Sequence, residues 1–165
     1  MIVSVIGESI ATPLNEKYAY EVGKLLAKSN LTLACGGLGG VMEAASEGCK
    51  KEGGTTIGIL PGLNPSESNQ WIDIPICTGL GYARNVIVAR TGLVVIAIGG
   101  AYGTLSEIAY ALAEDKPVIG LNTWEIMKNN SFDNKITRAN NAQDAVQKTL
   151  EKIAGKGWNG KNSTN

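Results

Sequence analysis

Short runs of aliphatic and β-branched residues alternate with helix-spaced apolar residues along most of this chain, and this alternation constrains the fold more than any other feature. Between the runs, apolar residues recur at steps of three and four, as at Leu14, Tyr18 and Val22. Alternating strands and helices predict right-handed βαβ crossovers, and hence an α/β fold with a doubly wound, open parallel sheet and helices on both faces. The predicted strands are 2–6, 31–34, 55–60, 72–76, 94–98 and 117–121.

The last quarter of the chain follows a different pattern. Residues 128–141 are rich in asparagine and predict a loop with one short strand at 136–139. Apolar residues at helical spacing, from Ala142 to Ile153, then predict a closing helix. We therefore expect one nucleotide-binding domain over 1–155 and a polar, frayed tail over 156–165.

Composition excludes several classes of function. The chain has no histidine, which rules out a Ser-His-Asp triad, a Cys-His pair and an HExxH metal site. Fifteen basic and fifteen acidic residues leave no net charge, so we expect no nucleic-acid partner. Three widely spaced cysteines, no signal-like start and no apolar run of about 20 residues predict a cytoplasmic protein that does not enter a membrane.

Glycine is over-represented: 21 of the 165 residues are glycine, which is about 13% against a usual share of about 7%. Clusters at 36–40, 79–81 and 99–103 follow predicted strands, where doubly wound sheets bind their ligands. The strongest segment is 98–107, in which a buried strand enters a glycine turn and then a helix. A helix N-terminus after such a turn favours the binding of phosphate. The alternative is that the glycines only allow the helix to pack closely against the strand. The loop at 36–40 has neither a GxGxxG fingerprint nor a Walker A lysine.

Two charged residues beside these turns are candidates for chemistry. Thr104 to Glu107 fits a T-x-x-E capping box, in which Glu107 bonds back to the helix start; a role in the ligand cleft is the second possibility. Arg84 is predicted in the first turn of a helix, where a cation is unfavourable, so it either grips phosphate or ribose hydroxyls or forms an ordinary salt bridge. In the first loop, Ser9 or Thr12 could bind a ligand, or Thr12 and Pro13 could simply begin a helix.

Several motifs together resemble a known family. Residues 99–107 are similar to the PGGxGTxxE signature of the LOG-like proteins, the so-called lysine decarboxylase-like family, and Arg84 matches the arginine of that family's second motif, roughly HxRK. Residues 53–62 and 73–84 resemble more closely the branch that contains the molybdenum-cofactor carrier proteins. The resemblance covers about 2–121 and, more loosely, the last helix.

This resemblance implies a Rossmann-like fold, a homodimer or homotetramer, and a phosphorylated nucleotide-like ligand. The favoured role is that of a molybdenum-cofactor carrier; the alternative is a nucleoside 5′-monophosphate phosphoribohydrolase, with Arg84 and Glu107 as its catalytic pair, and not a lysine decarboxylase. We expect no required cofactor and no metal site; the molecules that the resemblance implies as ligands are molybdenum cofactor or a nucleoside monophosphate. The expected ligand-binding residues are Gly7, Ser9, Gly36, Gly37, Gly39, Gly81, Arg84, Gly99, Gly100, Tyr102, Gly103, Thr104 and Glu107.

The sequence also departs from the hydrolase signature. Gly99 stands in place of its proline, and Ala101 in place of its second glycine. Asn85 replaces the expected lysine, Ser106 takes a position that is often acidic, and the motif histidine is missing. A carrier needs the phosphate-binding turn but does not break a bond in its ligand, so these departures favour the carrier role.

Overall fold

A computed structural model of the protein describes residues 1–155. Its strands are β1 (Ile2–Gly7), β2 (Thr32–Cys35), β3 (Thr56–Leu60), β4 (Ile74–Cys77), β5 (Val95–Ile98), β6 (Val118–Leu121), β7 (Met127–Lys128), β8 (Ser131–Phe132) and β9 (Ile136–Ala139). Seven of them form a sheet in the order β4-β3-β2-β1-β5-β6-β9, with every neighbouring pair parallel. The order reverses between β1 and β5, and this switch point fixes where a ligand cleft can form.

Helices cover both faces of this sheet. They are α1 (Pro13–Lys28), α2 (Val41–Lys51), α3 (Asn85–Thr91), α4 (Tyr102–Ala113) and α5 (Ala142–Gly155). One buried cluster joins the sheet to α1, α2 and α5, and a second joins it to α3 and α4. In the wholly buried β5, Ile96 belongs to the first cluster, and Val95 and Ala97 to the second. The predicted doubly wound α/β fold is therefore confirmed.

Thr12 and Pro13 begin the first helix, which is one of the two alternatives that the sequence left open for this loop. The Thr12 hydroxyl accepts a hydrogen bond from the Asn15 N–H at 3.3 Å, and Pro13 takes the first helical position. Part of the glycine excess also belongs to helix packing and not to loops. A Cβ at Gly23 in α1 would overlap the backbone of α2, so this glycine lets the two helices approach closely.

Two local predictions near the cleft are wrong. The helix expected at about 82–91 is divided into a 3-10 turn, Gly81–Arg84, and α3. The capping box at Thr104 does not form, because α4 already begins at Tyr102. Gly99 and Gly100 have φ values of +57° and +136°, and this turn directs the chain into the helix earlier than the apolar spacing indicates.

In the C-terminal quarter, the strand predicted at 136–139 is β9, which adds to the sheet beside β6. The hairpin of β7 and β8 was not predicted, since each strand has only two residues. The described part of the chain contains no helix with the length and hydrophobicity that a bilayer crossing requires. The predicted tail at 156–165 lies outside the described residues.

Candidate functional site

A cleft of about 400 Å³ opens at the carboxyl ends of β1 and β5, where the strand order reverses. Four separate loops and the start of α4 contribute to its walls. The lining residues are Gly7, Glu8, Ser9, Leu38, Met42, Pro61, Gly81, Tyr82, Arg84, Asn85, Ala101, Gly103, Thr104 and Glu107.

Arg84 and Glu107 meet inside this cleft. The 3-10 turn positions Arg84, and the second turn of α4 positions Glu107, so that Nη1 and Oε1 lie 3.7 Å apart. Each side chain is only 8% exposed. The Nε and Nη1 atoms of Arg84 are buried without a hydrogen-bond partner among the described residues. A buried guanidinium with donors to spare is suited to receive an anionic ligand.

Burial dominates the electrostatics of this pair. It raises the pKa of Glu107 to about 7, although the nearby Arg84 charge favours the carboxylate. Burial also lowers the pKa of Arg84, against the attraction of Glu107. Glu107 therefore changes its protonation near neutral pH, where it can accept or donate a proton.

The start of α4 adds a second group of donors. Ala101 at the N-cap makes no side-chain cap, and the first N–H groups of any helix lack an acceptor within the helix. Thr104, which is 2% exposed, holds a buried hydroxyl with no hydrogen-bond partner in the described structure. Together with the positive end of the helix dipole, these groups form an anion site beside Arg84.

A carboxylate of the protein itself occupies the preceding glycine turn. Glu8 accepts hydrogen bonds from the Gly100 N–H and from Nδ2 of Asn15, the latter at 2.7 Å. A Cβ at Gly99 would overlap this carboxylate, and the φ of +57° there excludes the proline of the resembled signature. Sequence reasoning named the neighbours of Glu8 but not Glu8 itself. An acidic residue directly after the central strand, at the switch point, is the signal that could have found it.

Two departures from the family signature contact one another. The Asn85 Nδ2 donates to Ser106 Oγ at 3.1 Å, and the Ser106 hydroxyl donates to the Gly103 carbonyl at 2.6 Å. A neutral pair thus lies where the signature has a lysine and, often, an acidic residue. This pair supports the first turn of α4 and adds no charge to the cleft.

The predicted ligand-binding residues do not all line one cavity. A second cavity, of about 550 Å³, lies on the other side of Glu8 and includes Gly99, Gly100 and Trp124. Tyr102 is 81% exposed, with its ring centroid 5.9 Å from that of Trp124. The predicted residues that line the main cleft are Gly7, Ser9, Gly81, Arg84, Gly103, Thr104 and Glu107.

The glycines of the 36–40 loop lie behind the cleft wall. A Cβ at Gly36 would overlap the Arg84 guanidinium, so this glycine makes room for the arginine. Gly37, with φ of +74°, packs on Gly58, and a Cβ at Gly39 would lie 3.3 Å from the Ser9 carbonyl oxygen. Within residues 1–155, no group of three or more cysteine or acidic side chains could hold a metal ion.

Comparison with known proteins assigns this arrangement to a family. The model of the SLOG cluster4 family matches residues 1–149. The chain belongs to the SLOG cluster4 family. An uncharacterized protein from Archaeoglobus fulgidus is 45% identical over 121 residues, which are 73% of this chain and 80% of that protein.

Solved structures agree with this assignment. A molybdenum cofactor binding protein from Rippkaea orientalis has a TM-score of 0.84 and 40% identity, over 92% of this chain and 96% of that one. A Moco carrier protein from Chlamydomonas reinhardtii has a TM-score of 0.81 and 34% identity, over 93% and 98%. The resemblance to the LOG-like family near its molybdenum-cofactor carrier branch, and the Rossmann-like fold, are confirmed.

Proposed function

We propose that the main cleft binds the phosphate of a nucleotide-like small molecule, and that the protein is a molybdenum-cofactor carrier. One observation supports this most strongly: Arg84 and Thr104 line the same cleft, and their buried donors have no hydrogen-bond partner among the described residues. Leaving buried donors unpaired destabilises a fold, so their presence together indicates a missing acceptor.

A phosphate fits these donors better than a neutral group does. Its oxygens can accept from the Arg84 guanidinium and the Thr104 hydroxyl at once, and its charge interacts favourably with the helix N-terminus. Because the pKa of Glu107 is about 7, its carboxyl is only partly ionised at neutral pH, so an anion beside Arg84 does not face a full negative charge there. Arg84, Thr104 and the first N–H groups of α4 would hold the phosphate.

The specific ligand is proposed from the relatives. The Rippkaea and Chlamydomonas proteins are described as binding or carrying molybdenum cofactor, and molybdopterin bears a phosphate. A carrier holds its cargo without breaking a bond. The neutral contact between Asn85 and Ser106 is consistent with this role, because it places no additional charge beside the ligand.

The phosphoribohydrolase is a second candidate, and the Arg84–Glu107 pair favours it. Glu107, with its pKa near 7, could orient water or stabilise an oxocarbenium-like centre while Arg84 holds the ribose or the phosphate. Hydrolysis would release the free base and ribose 5-phosphate from a nucleoside 5′-monophosphate.

A panel of nucleoside monophosphates tests both functions. We expect the protein to bind them without releasing free base, and Thr104→Val to weaken binding about fivefold through loss of one hydrogen bond. Thr149→Val is the matched control, since that buried hydroxyl bonds to the Ala145 carbonyl within α5, away from the cleft. Release of free base that Glu107→Ala abolishes would overturn the carrier role and establish the hydrolase.

We also infer a cytoplasmic homodimer or homotetramer from the family resemblance. Cys35, Cys49 and Cys77 are free thiols, which fits a reducing compartment. Light scattering on the purified protein would test the assembly, and a monomeric mass would contradict it.

A further inference from the structure

The glycine turn and the start of α4 could together accept two anionic groups. A carboxylate of the protein, that of Glu8, already occupies the glycine turn. The Glu8 carboxylate bonds to the Gly100 N–H, the backbone group that a glycine turn offers to a phosphate. Among the described residues, the donors that remain for a ligand in the main cleft are those of the first turn of α4, Thr104 and Arg84.

Glu8 is fixed in this position by a chain of side-chain amides. Asn122 Nδ2 donates to Asn15 Oδ1 at 2.8 Å, which turns the Asn15 Nδ2 toward Glu8. Asn15 is only 4% exposed, and its backbone is held by the Thr12 cap. The carboxylate is therefore bonded on both oxygens, one to a buried amide and one to the turn.

The backbone is also shaped around this carboxylate. Gly99 adopts φ of +57°, and any side chain there would collide with Glu8 and Asn15. Glu8 lines both the main cleft and the second cavity, so it separates the two. An anionic group that extended from the main cleft toward Gly100 would meet a like charge and find its donor already occupied.

We propose that Glu8 is a specificity-determining residue that restricts the cleft to ligands with a single anionic group at α4, so that a monophosphate binds and a diphosphate is rejected. This inference rests on the proposed phosphate-binding function, which it deepens. The discrimination comes from the fixed carboxylate and not from the volume of the cleft.

Isothermal titration with inorganic phosphate and with pyrophosphate tests the proposal. Glu8→Ala removes both the charge and the occupant of the turn, and Glu8→Ser is a second vacating variant should the alanine protein fail to fold. Glu8→Gln removes the charge but leaves an oxygen that can accept from the Gly100 N–H. Glu43→Gln removes a carboxylate from the first turn of α2, outside the main cleft.

The ratio of the two dissociation constants is the decisive quantity. We expect Glu8→Ala to shift it toward pyrophosphate by about tenfold, because a donor is freed and a repulsion removed. Glu8→Gln should shift it less, because the repulsion is removed but the Gly100 N–H stays occupied. Glu43→Gln should leave the ratio unchanged.

A ratio that neither Glu8→Ala nor Glu8→Gln changes would overturn the role of Glu8 while leaving phosphate binding intact. Equal shifts in the two variants would support that role and assign it to the charge of Glu8 alone. If the wild-type protein binds neither anion but Glu8→Ala binds pyrophosphate, the role of Glu8 is supported and the proposed function fails. Binding of neither anion by any of the proteins would overturn both.

Discussion

Two arginine–glutamate pairs join the same two parts of the molecule and differ in nearly every physical respect. Arg90 of α3 and Glu114, at the end of α4, pair on the surface, with Nη2 2.5 Å and Nε 2.7 Å from Oε1. Arg84 and Glu107 pair inside the cleft at 3.7 Å, and the buried Nε and Nη1 of Arg84 have no hydrogen-bond partner within residues 1–155.

Their pKa values shift in opposite directions. Hydrogen bonding to Arg90 lowers the pKa of Glu114, and the same contact raises that of Arg90, so both charged forms are favoured. In the cleft, burial raises the pKa of Glu107 and lowers that of Arg84. The surface pair Arg90–Glu114, the outer pair, uses its charged groups to bind each other. The cleft pair Arg84–Glu107, the inner pair, keeps hydrogen-bond donors and a titratable carboxyl available to a ligand, as functional sites commonly do.

The largest expected difference is in the pH dependence of stability. Folding raises the pKa of Glu107 from 4.5 to about 7, so between these values the folded protein retains a proton that the unfolded chain loses. Below pH 4.5 Glu107 is protonated in both states and its contribution to the free energy of unfolding is fully present. That free energy falls by about 3 kcal/mol as the pH rises to 7. Urea denaturation across this window should show the fall in wild type and not in Glu107→Gln.

Glu114→Gln is the matched control for this experiment. The pKa of Glu114 is lowered from 4.5, so its contribution is lost only as pH falls below that value. The free energy of unfolding of Glu114→Gln should therefore change with pH as that of wild type does between pH 4.5 and 7. A Glu107→Gln protein that keeps the full wild-type slope would show that the inner carboxyl is not perturbed.

The next largest effect is on anion binding. Arg84→Gln should weaken the binding of inorganic phosphate on the order of thirtyfold, because charge-assisted hydrogen bonds in the cleft are lost. Arg90→Gln should bind phosphate as wild type does, since Arg90 is satisfied by Glu114 outside the cleft. Equal losses in the two variants, measured by titration calorimetry, would show that only the general positive field matters.

The smallest effect is expected from breaking the outer pair. Arg90 is 62% exposed, and exposed ion pairs contribute little to stability. Glu114→Gln at neutral pH should leave the denaturation midpoint within experimental error. A clear loss of stability would mean that this pair fastens α3 to α4 and is not a passive surface contact.

Much of the architecture could be predicted because it depends on local pattern. The apolar run at 94–98 predicted the buried strand β5, and the helical spacing from Ala142 predicted α5. The turn at 99–103 and Arg84 were also predicted near a ligand site. That prediction combined glycine clusters, strand ends and a family resemblance, all of which are visible in sequence.

The rest depends on contacts between distant residues. Glu8 and Gly100 are 92 positions apart, and no local pattern pairs a carboxylate with a turn at that separation. The capping-box error has a related cause, because the positive φ of Gly99 and Gly100 starts α4 before Thr104. That shift places Thr104 and Glu107 on the cleft side and not at the helix cap.

Native mass spectrometry of the purified protein tests the central claim most directly. We expect a phosphorylated small molecule bound to the wild-type protein, retained by Arg90→Gln and lost from Arg84→Gln. A phosphorylated ligand that remains on Arg84→Gln as it does on wild type would contradict the assignment of the cleft as the phosphate-binding site.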